Sequence, residues 1–148
     1  GAGTTPAPSG EARFGVIPSL TGDAAANHLR AKDGIGLACK EINEAGGVLG
    51  KKAVLQIEDE QTTPDGCVLA ASKLYGTDMV ALLGPNRSAH TSAIMEQIKK
   101  WCISIPVICG GAPVSREFAS EIGANGYGDN APEAVELCKR LVSERVPA

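Results

Sequence analysis

Short apolar runs alternate with longer amphipathic stretches along this chain, five times over. The first apolar run is Arg13 to Ile17, followed by Pro18 and a polar turn. A helix is predicted over 24–44, where Ile35, Ala38 and Ile42 recur at helical spacing and form its expected buried stripe. Gly46 and Gly47 stop it. The second run is Ala53 to Ile57. Thr63 then reads as an N-cap with Pro64 at the first helical position, where a missing N–H costs nothing. Val68, Ala71 and Leu74 or Tyr75 give that helix its apolar side.

Met79 to Leu83 is continuous and apolar, as expected of a central parallel strand covered on both faces. A helix over 88–100 follows, with Ile94, Met95, Ile98 and Trp101 on one side. Ile103 to Ile108 is the fourth run, and a helix over 114–122 comes after Gly110 and Gly111. The fifth run, Ala124 to Tyr127, is short. The last helix, over 132–144, carries Ala134, Leu137, Cys138, Leu141 and Val142 as a clear stripe. Strand–helix alternation with short links implies a parallel sheet wrapped by helices, with right-handed crossovers covering both faces. The expectation is one flavodoxin-like three-layer α/β domain over 12–148, with a five-stranded parallel sheet in the order 2-1-3-4-5.

Composition narrows the function. The 148 residues fit one domain. No apolar run approaches the ~20 residues of a membrane helix. A net charge of −3 with scattered Lys and Arg argues against a nucleic-acid surface, and 3 % aromatics leave few stacking platforms. Residues 1–11 are small and polar and read as a disordered tether or cloning remnant. Cys39, Cys67, Cys102, Cys109 and Cys138 are odd in number and show no metal-ligand spacing. They read as small buried apolar residues.

The chemistry-bearing residues are sparse. Ligands of parallel α/β sheets sit at the carboxyl ends of the strands, so four loops matter: 18–23, 58–63, 84–88 and 110–113. Gly84-Pro85-Asn86-Arg87-Ser88 opens a helix whose free N–H groups and positive dipole end suit a carboxylate. Ser88 as a plain N-cap is the competing reading. Glu58, Asp59 and Glu60 read as a solvated strand end pointing to alternate faces. His28 and His90 read as surface or cap residues. Cys109 would be reactive if a helix N-terminus lowered its pKa. Phosphate loops, a dinucleotide fingerprint, G-x-S-x-G and a Ser-His-Asp arrangement are all absent from the sequence. An enzyme is not expected, and neither is a metal.

From Phe14 to about Ile108 the text GVIPSLTGDAA, DGIGLACKEINEAGGVLGKK, IEDEQTTPDG and ALLGPNRSAHT resembles the first lobe of type I periplasmic solute-binding proteins, of the branched-chain amino-acid receptor type. The resemblance implies a carboxylate held by Ser88 and Asn86, with Ser19 and Thr21 contributing. From about Val107 to Val146, CGGAPVSREFASEIGANGYGDNAPEAVELCKRL resembles the C-terminal part of the cobalamin-binding domain of corrinoid methyl-transfer proteins. That resemblance implies that Gly110 and Gly111 let a nucleotide tail approach the backbone. The D-x-H-x-x-G loop that supplies the cobalt-ligating His in that family is missing, so no cobalamin is expected. The joint reading is a recombined or engineered chimera, joined near 108–111, with no evolved activity and no cofactor. Weak binding of a small amino acid is the alternative and corrinoid binding the second. A monomer is expected, a dimer staying open. The receptor text points to the periplasm or cell surface, and the corrinoid text to the cytoplasm.

Overall fold

The computed structural model describes residues 10–111 and 114–144, without the side chain of Val142. Residues 1–9 of the expected tether, Pro113 and the Val142 side chain of the last stripe therefore lie outside the described residues, whereas Glu11, expected in the tether, is the first residue of a strand. The elements run β1 (Glu11–Val16), α1 (Ala25–Glu44), β2 (Lys52–Ile57), α2 (Pro64–Tyr75), β3 (Ala81–Leu83), α3 (Ser88–Lys100), β4 (Ile108–Gly110), α4 (Arg116–Ile122), β5 (Gly126–Gly128) and α5 (Ala131–Ser143). The strand–helix alternation is as the pattern predicts. The chain divides into two compact units, split between Ile94 and Met95.

In the first unit the sheet order is β2-β1-β3, all parallel. Its core is Ala12, Val16, Ile17, Ala53, Cys67, Ala70, Ala71 and Leu74. Thr63 caps α2 as expected: its hydroxyl accepts from the Gly66 N–H at 3.0 Å, with Pro64 at the first position. Helix α1 ends as predicted, with the Gly47 N–H donating to the Ile42 carbonyl at 2.8 Å. Its expected stripe is not buried, however. Ala38 is exposed, Ile35 half-buried and Ile42 42 % exposed. The helix is instead fixed to β2 through polar groups: the Asn43 side chain accepts from Ala53 N at 2.7 Å and donates to Ala53 O at 2.9 Å. One amide thus satisfies both backbone groups of an edge-strand residue, where a further strand would otherwise pair.

The second unit contains the parallel pair β4-β5. Asn125 extends that ladder, its backbone N–H donating to Val107 O at 2.7 Å and its Oδ1 accepting from Val107 N at 2.8 Å. Ser115 caps α4, accepting from Phe118 N at 3.2 Å, and Gly123 ends the helix at φ 78°. Leu137 of α5 is buried over Gly126, where even a methyl group would fall 2.6 Å from Leu137 Cδ2. Of the predicted α5 stripe, Ala134 and Leu141 are half-buried and Cys138 is exposed.

Among the described residues the expected order 2-1-3-4-5 is met in part, as 2-1-3 within the first unit and 4-5 within the second. Pro106 lies inside the expected fourth strand and has no N–H to donate. The strand shrinks to Ile108–Gly110. Within the first unit β3 is the last strand of the order, and Val80 beside it is 63 % exposed.

Candidate functional site

The carboxyl ends of β1, β2 and β3 lie together in the first unit. The Ile17 N–H donates to Leu83 O at 2.9 Å, and Gly84 follows at φ 101°. A side chain at Gly84 would meet the Ile17 carbonyl oxygen at 2.7 Å, so only glycine lets the β1 and β3 ends approach this closely. A shallow cleft opens here, lined by Ile17, Pro18, Lys32, Ile35, Gly84 and Asn86 among others.

The structure divides the residues proposed from sequence. Asn86 and Ser88 are exposed, and Ser88 is the first residue of the thirteen-residue α3. Ser19 is fully buried, its hydroxyl donating to Glu60 Oε1 at 2.5 Å. Thr21 is exposed but committed: its hydroxyl donates to Asp59 Oδ2 at 2.7 Å. Gly110 and Gly111 belong to the second unit, at the end of β4.

The three carboxylates after β2 have three separate roles, not one solvated strand end. Glu58 pairs with Lys73 at 3.0 Å. Asp59 ties down the first loop, accepting from Leu20 N at 2.8 Å, from the Thr21 hydroxyl and from Gln61 N at 2.9 Å. Burial pulls the Asp59 pKa upward, but these hydrogen bonds, led by Thr21, outweigh it and hold the carboxyl below its usual range. Glu60 turns inward and is completely buried.

Both histidines converge on Glu60, contrary to their reading as surface or cap residues. His28 is 7 % exposed and His90 3 %. His28 Nδ1 accepts from Ser19 N at 2.9 Å, so that nitrogen carries a lone pair and its proton sits on Nε2. It lies 3.6 Å from Glu60 Oε1. His90 Nδ1 lies 3.0 Å from Glu60 Oε2, yet neither atom makes a hydrogen bond of acceptable geometry. Cys67, also fully buried, completes the group: donor atoms of Glu60, Cys67 and His90 all fall within 4.8 Å of one another. Burial, with Glu60 alongside, pushes the Cys67 thiol pKa far up. Nothing in the local sequence marks this cluster: Glu60 and Cys67 are seven residues apart, but His28 and His90 join them from α1 and α3, more than twenty residues away.

The remaining cysteines split. Cys102 and Cys138 are exposed, against the expectation of burial, and Cys39 and Cys109 are intermediate. Burial raises the Cys109 pKa, opposite to what a reactive thiolate needs.

Parallel strands joined by helices, with a shallow cleft at their carboxyl ends, place the first unit in the α/β class. A family model described as periplasmic binding protein matches residues 11–140, and the chain belongs to that family. It is 40 % identical over 72 residues to the Leu/Ile/Val-binding protein BraC3 of Rhizobium johnstonii, covering 49 % of this chain and 20 % of that protein. It is 32 % identical over 76 residues to the trimethylamine corrinoid protein of Methanosarcina barkeri, covering 51 % of this chain and 32 % of that one. The second alignment is longer than the segment 107–146 on which the corrinoid resemblance rests. Among solved structures, the isoleucine complex of the branched-chain amino-acid substrate-binding protein LivJ from Streptococcus pneumoniae superposes with a TM-score of 0.60 at 26 % identity, over 66 % of this chain and 28 % of that one. The chain thus spans a third or less of these relatives. Matches of both kinds fit a chimera of receptor-type and corrinoid-type text. Among the described residues no helix is long and apolar enough to cross a membrane.

Proposed function

We propose that this chain is a binding module, not an enzyme, that takes the carboxylate of a small aliphatic amino acid weakly at the start of α3. The observation that carries the reading is the exposure of Asn86 and Ser88 at the N-terminus of a thirteen-residue helix, beside a cleft that Lys32 also lines. The names of the Rhizobium and Streptococcus relatives, a Leu/Ile/Val-binding protein and an isoleucine complex, support the ligand class. Affinity is low because Ser19 and Thr21 already donate to Glu60 and Asp59. The receptor-type text favours the periplasm or cell surface.

The commitment of Ser19 and Thr21 also favours a second reading, a recombined scaffold without evolved activity. Corrinoid binding has less support, since the first-strand loop lacks D-x-H-x-x-G and both histidines are buried around Glu60. Titration calorimetry with leucine, isoleucine and valine separates the readings. Millimolar binding lost in Ser88→Ala supports the module, no heat with any ligand supports the scaffold, and micromolar binding contradicts both. A visible-spectrum shift of hydroxocobalamin in the protein fraction would revive the corrinoid reading.

A further inference from the structure

The fully buried Glu60 has no cationic side chain in hydrogen-bond contact among the described residues. Its Oε1 takes the Ser19 hydroxyl, and the nearby His28 Nδ1 presents a lone pair, not a proton. Its Oε2 and His90 Nδ1 face each other at 3.0 Å without a hydrogen bond. An isolated buried carboxylate is costly, and nature resolves such cases by pairing or by a metal. Oxygen, nitrogen and sulfur donors converge here, the set that borderline divalent ions prefer.

We propose that Glu60 Oε2, His90 Nδ1 and Cys67 Sγ form a buried zinc site, separate from the carboxylate cleft and independent of it. A tetrahedral zinc with bonds of about 2.0–2.3 Å sets its donors ~3.5 Å apart. The group, already within 4.8 Å, reaches that spacing by drawing in by about 1.3 Å at most. Binding forms a Zn–S bond as the Cys67 S–H proton leaves to solvent. Glu60 and His90 each donate a lone pair, and no atom changes oxidation state. One carboxylate and one thiolate against one divalent ion leave the buried cluster neutral. Ser19, bonded to Oε1, orients the carboxylate so that Oε2 faces the ion. Because the thiol must ionise, affinity falls as pH falls.

The test uses the full chain carrying Cys102→Ser and Cys138→Ser, which removes the two exposed thiols, stripped with chelator and titrated with cobalt(II) chloride. The site predicts one equivalent of cobalt with a thiolate-to-cobalt charge-transfer band, displaced by one equivalent of zinc. Cys67→Ala abolishes the band, and His90→Gln weakens binding by about 100-fold or more, beyond the 10–100-fold typical of outer partners. His28→Gln, outside the proposed ligand set, keeps the band. Zinc also raises the melting temperature of the parent protein. A folded parent protein with no charge-transfer band overturns the site, and so does a band that survives Cys67→Ala. Failure of Cys67→Ala to fold leaves the parent titration and His90→Gln to decide.

Discussion

Ser19→Ala distinguishes a structural serine from a ligand-binding one. The side chain is fully buried and donates to Glu60 Oε1 at 2.5 Å. Alanine fits the space but removes a hydrogen bond to a charged group, worth about 1.5–3 kcal/mol, and strips a buried acceptor of its donor. The expected loss is about 2–3 kcal/mol. With urea m-values of about 1–3 kcal/mol/M, the midpoint for the first unit falls by about 0.7–3 M while m stays unchanged. Because the chain holds two compact units, unfolding is best followed by amide exchange in β1 and α2, which reports the first unit directly. A loss below about 0.5 kcal/mol, the size of an ordinary surface substitution, would refute the assignment of Ser19 to Glu60. A variant of unchanged stability that loses amino-acid binding would return Ser19 to the ligand.

Two further variants probe other parts of the fold. The hydrogen bonds to Asp59 hold its folded pKa below the unfolded value, so its contribution is present above the unfolded pKa and is lost as pH falls through the folded one. Asp59→Asn should therefore cost about 1–2 kcal/mol at neutral pH, and flatten the stability–pH curve below about pH 4; an unchanged acid limb in urea melts would count against it. Leu137→Ala should cost about 2–5 kcal/mol, as for a buried leucine, and a loss under 1 kcal/mol in denaturant melts would mean that α5 packs loosely on β5.

Local chemistry made much of the fold legible. The Thr63-Pro64 cap, the glycines after α1, and the Ile94, Met95 and Ile98 side of α3 all act within a turn or two of sequence, where periodicity and capping have direct meaning. The length of the fourth strand was harder to read, because an apolar run from Ile103 to Ile108 carries the strand signal while Pro106 inside it withholds a backbone donor, and the strand covers only Ile108–Gly110. The burial of Glu60 was hidden for a different reason. Three successive carboxylates look alike in sequence, but Gln61 at φ 53° and Thr62 at φ 55° turn the backbone sharply just after them. The chain reversal sends Glu58, Asp59 and Glu60 to three separate partners. Candidate ligand residues were legible by resemblance, whereas the partners that occupy Ser19 and Thr21 depend on contacts dozens of residues away.

The most direct test of the account is calorimetric titration of isoleucine into the intact chain and into Ser88→Ala. The account predicts a dissociation constant in the millimolar range, about −4 kcal/mol of binding free energy, and no heat above dilution in the variant. Tight binding would contradict the weak site the account describes, and heat that persists after Ser88 is truncated would show that the ligand is held somewhere other than the start of α3.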